Sequence, residues 1–207
     1  MTVQLPIQLP IQLPIQLPIQ LLCESSDQWL QVVLDDFDRF LIDHAANEKK
    51  ASSSALTLAA HYPDKPDLVA AMIELAIEEL RHYREVFRLM CDRNLTNQAD
   101  QKDAYIKQLR KVLRTGTELY FLDRLLVASI LESRGLERFA KVAEALPLGL
   151  LKNFYQSLTR AEARHAHLFL NFATQYYSPS QVTERLAEIL PIEANILQSL
   201  PVRPVLH

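Results

Sequence analysis

The stretch 151-LKNFYQSLTRAEARHAHLFLNFATQY-176 decides the fold. Leu151, Tyr155, Leu158, Glu162, His165, Phe169, Phe172 and Tyr176 recur at three- and four-residue intervals and make one core-facing helical stripe. A carboxylate and an imidazole are set into that stripe, and their i, i+3 separation puts both side chains on the same face about one turn apart. Burying them bare is expensive. A fully desolvated carboxylate shifts its pKa by ~3 to 5 units, each worth about 1.4 kcal/mol, against a fold stability of roughly 5 to 15 kcal/mol. Something must compensate, either a hydrogen bond between the two groups or a bound cation.

The rest of the chain repeats this arrangement. A helix capped by Ser25, Ser26 or Asp27 carries Trp29, Val33, Phe37, Phe40, His44 and Glu48 on one side and continues through Leu58. Glu48 falls on its apolar face, while Lys49 and Lys50 are rotated away. The turn Tyr62-Pro63-Asp64-Lys65-Pro66 ends it. The next helix shows Leu68, Met72, Leu75, Glu79, His82, Val86 and Leu89, a second Glu-x-x-His in core register, with Glu78, Arg81, Arg84 and Glu85 reading as a solvated face. From Asn94 to Thr117 the pattern gives way to a polar connection with room for a short helix. Lys102, Lys107, Arg110, Lys111 and Arg114 make it the densest basic run in the chain. A third long helix places Glu132 among Leu122, Leu125, Ser129, Leu136 and Phe139 and ends near Leu146-Pro147. Arg134 and Glu137 flank that carboxylate and, with His44, are candidates to support it and its counterparts. Ser178-Pro179 caps a last helix, which Pro191 kinks or restarts.

Length and composition set the bounds. The 207 residues, 49% hydrophobic with three glycines, suit one helical domain over 25–200, followed by a frayed tail over 201–207. Residues 1–24 are dominated by tandem Gln-Leu-Pro-Ile, whose prolines remove backbone donors every fourth residue, so this segment reads as an extended or disordered tail. A net charge of −3 gives no global attraction to nucleic acid, so any such binding needs a local patch. Cys23 and Cys91 form neither a metal-type pair nor a disulfide framework, and no apolar run approaches the ~20 residues that span a bilayer. The expectation is a cytoplasmic protein.

Four helices thus supply Glu48; Glu79 with His82; Glu132; and Glu162 with His165. Glu79 follows Glu48 by 31 positions and Glu162 follows Glu132 by 30, which reads as a duplicated half-site. Four carboxylates carry about −4, and two divalent cations neutralise them and make their burial tolerable. The set is oxygen-rich and free of thiolate, which suits iron or manganese rather than structural zinc. It is the ligand set of ferritin-like di-iron and di-manganese carboxylate proteins. The expected architecture is all-α: a ferritin-like four-helix bundle with one long crossover between its second and third helices and an additional C-terminal helix.

The runs from Asp43 to Ala51, Glu78 to His82, Leu131 to Phe139 and Ala161 to His165 resemble the MiaE family of tRNA 2-methylthio-isopentenyl-adenosine hydroxylases. The resemblance covers about Trp29 to the final helix. It implies a non-haem di-iron monooxygenase that uses O2 to hydroxylate the isopentenyl group of the adenosine next to the anticodon, with Glu48, Glu79, His82, Glu132, Glu162 and His165 as iron ligands. Without a flavin, nicotinamide or iron–sulfur fingerprint in the chain, electrons are expected from a separate reductase or ferredoxin. The best local candidates for tRNA contact are Lys49, Lys50, Lys102, Lys107, Arg110, Lys111 and Arg114. The rival readings are a di-iron oxygenase acting on a lipid or quinone, a ferritin-like iron-oxidising, storage or peroxide-scavenging protein, and a metal-free bundle. The last must bury four inward carboxylates uncompensated.

Overall fold

The computed structural model describes residues 19–99 and 103–207. Nearly all of the tetrapeptide repeat, and Lys102, lie outside the described residues. Those residues form seven α-helices and no strand: α1 (Asp27–Asp35), α2 (Phe37–His61), α3 (Pro66–Asp92), α4 (Ala104–Leu109), α5 (Thr117–Ala145), α6 (Leu150–Tyr176) and α7 (Pro179–Ser199). The single long first helix expected from the periodicity is two, because Asp36 leaves helical geometry at φ −130° and ψ 59°. Its backbone N–H closes α1 on Val32, and its side chain accepts from the Arg39 N–H to open α2.

α2 pairs along its length with α3, and α5 with α6. Each hairpin is pinned beside the inward carboxylates, Ser52 donating to the Ala76 carbonyl and Ser129 to the Ala166 carbonyl, both at 2.8 Å. The hairpins face each other across two apolar cores. One gathers Leu68, Met72, Leu75, Phe121, Leu125 and Phe169; the other gathers Trp29, Phe40, Val86, Met90, Phe139 and Tyr155. The carboxylate layer lies between these two cores.

The connection from α3 to α5 carries the short helix α4, then a 3₁₀ turn at Arg110–Val112, and enters α5 through Gly116 at φ +94°, a left-handed conformation that suits glycine. α7 opens on a capping box between Ser178 and Gln181 and runs unbroken through Pro191, where the sequence suggests a kink or restart.

Both ends of the domain differ from expectation. Before Ser25, Ile19 is 4% exposed and the Cys23 carbonyl accepts from Arg134, so the packed body includes residues assigned to the tail. Residues 201–207 are not frayed. Trp29 Nε1 donates to the Val205 carbonyl at 3.0 Å, the Leu206 N–H donates to Asp43 at 2.7 Å, and Arg138 donates to the Leu206 carbonyl. Side chains far away in sequence thus satisfy a backbone that has no regular structure of its own.

Candidate metal centre

Near the middle of each hairpin the inward stripe changes from aliphatic to ionisable, and the four core helices bring these positions to one layer. Glu48, Glu79, His82 and Glu162 each offer a ligand atom within 4.8 Å of the others, and so do Glu79, Glu132, Glu162 and His165. Glu79 and Glu162 belong to both groups. The cluster is therefore two overlapping half-sites sharing two carboxylates.

Both histidines aim Nδ1 inward. His82 Nδ1 lies 3.3 Å from Glu79 and 3.5 Å from Glu48, and His165 Nδ1 lies 3.0 Å from Glu79 and 3.9 Å from both Glu132 and Glu162. His165 is buried, yet neither of its ring nitrogens makes an aligned hydrogen bond. Such an imidazole, with three carboxylates around its Nδ1 but aligned with none, is arranged for a shared central charge rather than for pairwise bonds.

The electrostatics point the same way. Burial alone would raise the Glu48 carboxyl, but hydrogen bonds from His44 and His82 outweigh it and hold Glu48 well below the carboxylate range. Burial and the Glu48 charge push Glu79 up to about 7, and burial with Glu132 beside it drives Glu162 well above its ordinary value. Burial should lower both histidines, yet the carboxylates around them raise His82 and His165 to about 10. Protons occupy the charge-balancing positions, as expected where cations can replace them.

Behind the histidines stands Glu78, which the sequence pattern assigns to solvent. One of its oxygens is 3.3 Å from His165 Nε2, the other 4.0 Å from His82 Nε2, and Arg164 closes on the same carboxylate from α6. The His165 imidazole, with Arg164, holds Glu78 down to about 2 despite partial burial. The sequence carries a signal for this role: Glu78 sits at i−4 from His82, a position that reaches the far side of that ring.

Of the supporting candidates, His44 lies at the cluster, its Nε2 2.7 Å from Glu48 and its Nδ1 3.2 Å from the Tyr155 hydroxyl. Arg134 and Glu137 do not. Arg134 points out of the bundle to Glu193 of α7 at 2.8 Å, and Glu137 accepts from Arg134 and from the N–H and hydroxyl of Ser25. They staple α5 to α7 and to the N-terminal segment, because positions two and five residues after Glu132 emerge on the opposite side of α5.

A cavity of about 1010 Å³ opens from the cluster between α2 and α5. Ala51, Ala55, Ala128 and Gly135 line this seam and are too small to fill it. A Cβ built on Gly135 would meet the Glu162 carboxylate at 3.5 Å. Glu48, Glu79, Glu132 and Glu162 line the cavity, whereas His82 and His165 do not. Lys49, Lys50, Lys107, Arg110 and Arg124 also line it, Lys107 and Arg110 being exposed. Lys111 is exposed away from the cavity. Arg114 is committed to Asp123, donating from Nε at 3.0 Å and from Nη2 at 2.8 Å, and Asp123 is shared with Arg185. It is a brace for the crossover rather than part of an open basic patch.

Fold and cluster together define a ferritin-like carboxylate-bundle protein whose donor set is compatible with a metal site. The family described as tRNA-(MS[2]IO[6]A)-hydroxylase (MiaE) matches residues 14–207, and the chain belongs to that family. A tRNA 2-(methylsulfanyl)-N(6)-isopentenyladenosine(37) hydroxylase of Pseudomonas putida is 34% identical over 177 residues, 86% of each chain. One of Salmonella typhimurium is 33% identical over 160 residues, covering 76% of this chain and 57% of that relative. A solved Synechococcus structure, described as protein 43 with aldehyde deformylating oxygenase activity, superposes with a TM-score of 0.86 at 32% identity, covering 90% of this chain and 94% of that one. No described helix is long and apolar enough to cross a membrane.

Proposed function

We propose that the chain is a tRNA-modifying monooxygenase that hydroxylates the isopentenyl side chain of 2-methylthio-isopentenyl-adenosine beside the anticodon, acting in the cytoplasm. The observation that carries this reading is the cavity that joins a buried carboxylate layer to a cation-lined seam. An unactivated methyl group needs an oxidant that no acid–base constellation supplies, and a polyanionic substrate needs positive charge around its entrance.

Glu48, Glu79, His82, Glu132, Glu162 and His165 would hold two iron ions, with Glu79 and Glu162 serving both. Two ferrous ions would supply the redox chemistry, in which a C–H bond, O2, two external electrons and two protons give one hydroxyl on carbon and one water. The electrons come from a separate reductase or ferredoxin.

The chain's own residues do the rest. Ala51, Ala55, Ala128 and Leu131 offer apolar wall to the isopentenyl group, and Glu132, half-buried, is among the cavity's lining. Lys107 and Arg110 on the crossover, with Lys49 and Lys50 across from them, face the phosphates of the anticodon loop. The nucleoside must leave its stack to enter, at a cost of a few kcal/mol that is smallest in a single-stranded loop.

A second reading, oxygenase action on a long-chain aldehyde, draws on the Synechococcus structure. One experiment separates the two. Iron-loaded protein, O2 and a chemical reductant are incubated with tRNA bearing the modified adenosine, or with a fatty aldehyde, and products are read by mass spectrometry. A gain of one oxygen atom on the nucleoside, absent in Glu132→Ala, is the expected result. An unchanged nucleoside together with a shortened aldehyde overturns the tRNA reading.

A further inference from the structure

The closing segment of the chain does more than tie down a terminus. His207 lines the cavity that reaches Glu48, Glu132 and Glu162. Its ring lies against Tyr105 of α4 with planes 9° apart and centroids 5.6 Å apart. Tyr105 is 1% exposed and does not line the cavity. The imidazole is thus a half-buried part of the cavity wall, in offset parallel contact with a buried phenol ring, its Nδ1 buried without a hydrogen-bond partner.

The platform beneath it is rigid. The Tyr105 hydroxyl donates to Glu193 at 2.6 Å, and Glu193, 0% exposed, accepts from Arg134 Nε at 3.0 Å and Nη2 at 2.8 Å. The backbone leading into His207 is fixed on both sides of Leu206, by Asp43 of α2 and Arg138 of α5. Burial, with Arg138 and Arg134 outweighing Asp103, holds the imidazole neutral, well below its ordinary pKa. A neutral aromatic ring at the wall of a cavity is a stacking surface for a flat heterocycle.

We propose that His207 is a substrate-contacting residue whose ring extends the Tyr105 stack onto the purine of the nucleoside entering the cavity. This rests on the tRNA reading above and adds how the base is held while its side chain reaches the carboxylate layer. Lysine and arginine contacts position phosphates without regard to base, whereas stacking on a ring beside the site favours a flipped purine over an empty cavity.

The test uses iron-loaded full chain, kept anaerobic, and two anticodon stem-loops, one with the 2-methylthio-isopentenyl adenosine and one abasic at that position. Affinities are measured for wild type, His207→Phe and His207→Leu. Phe keeps a planar ring on Tyr105; Leu keeps apolar bulk without one. Loss of one base stack corresponds to about tenfold in affinity. The expected result is that His207→Leu binds the modified stem-loop about tenfold more weakly, His207→Phe stays within about twofold of wild type, and all three bind the abasic stem-loop alike with equal iron content. Equal binding of the modified stem-loop by His207→Leu and wild type overturns the inference, as does an equal loss in His207→Phe. If wild type neither prefers the modified stem-loop nor hydroxylates it, the tRNA reading itself falls, and this inference with it.

Discussion

Metal binding at this centre should release protons in an unusual number. Near pH 7 the metal-free cluster holds one proton on each of His82 and His165, both raised to about 10, and about half of one on Glu79, raised to about 7, while burial drives Glu162 well above its ordinary value. Ligation requires these groups deprotonated, so two divalent ions displace at least about two protons. The overall two-ion association constant then rises by at least about two decades for each pH unit near neutrality, since each proton released contributes about 1.4 kcal/mol per unit. The assay is anaerobic titration with Fe(II) or Mn(II) against a competing chelator at pH 6.5, 7.0 and 7.5, with proton release read by an indicator in weak buffer. His82→Ala should remove one proton from the count. The metal-free protein shows the opposite trend. Groups raised in the folded state contribute stability that is complete below their unfolded pKa and lost as pH rises through the folded value, so its melting temperature falls as pH rises toward 10. Release of fewer than one proton per two ions would refute the reasoning, because the imidazoles would then be neutral before metal arrives.

Three further outcomes follow from the same contacts. Glu78→Gln weakens the hold on both imidazoles and should cost about 10- to 100-fold in iron affinity while raising the reduction potential of the centre, read by chelator competition and spectroelectrochemistry; unchanged affinity would remove Glu78 from the site. Arg134→Met strands the buried Glu193 and should cost about 3 to 5 kcal/mol, seen as a fall of roughly 6 to 20 °C in melting temperature with iron stoichiometry intact below the transition. Loss of iron without loss of stability would return Arg134 to the metal centre. Replacing Lys107, Arg110 and Lys111 together by Ala should weaken tRNA binding and flatten its salt dependence by about two to three units of slope with iron content unchanged, and an unaltered slope would move the tRNA surface elsewhere.

What the sequence made legible was whatever a helical period determines. A residue in core register at 48, 79, 132 or 162 must face the bundle interior, and four such carboxylates on four helices have few places to go except one layer. The short helix in the crossover and the cap at Ser178 were readable for the same reason, as local chemistry. The period says nothing about what a boundary position meets. Glu78 sits one residue before Glu79 and reads as a solvated face, yet α6 brings His165 and Arg164 to it. Arg134 and Glu137 are near Glu132 in sequence but emerge on the other side of α5. Arg114 reads as one more cation in a basic run, and its commitment to Asp123 depends on a chain reversal that hydropathy does not encode. Residues 201–207 have no periodicity at all, and their order comes from Trp29, Asp43 and Arg138, each more than 60 positions away. The cavity follows from residues 51, 55, 128 and 135, since two helix faces built from alanine and glycine leave space that bulkier neighbours do not.

The two sides of the cluster are chemically different, and that difference orders the rest of the molecule. The carboxylates of all four core helices line the cavity, while both imidazoles lie behind them on α3 and α6, backed by Glu78 and Arg164. Carboxylates change binding mode at little cost because each has two equivalent oxygens, whereas an imidazole held at its far nitrogen has one orientation. The adaptable groups of the cluster thus face the cavity, and the fixed ones face the protein. The same polarity extends outward. On the imidazole side a carboxylate and the Arg164 guanidinium close the α3–α6 seam, and on the carboxylate side the α2–α5 seam is left open by small residues and roofed by the crossover and residues 206–207. The similar spacing of the inward carboxylates on the two hairpins does not account for this asymmetry. The asymmetry comes from parts outside the two hairpins, the α4 crossover and the closing segment, which contribute Ile106, Lys107, Arg110, Leu206 and His207 to the cavity wall on the carboxylate side of the cluster.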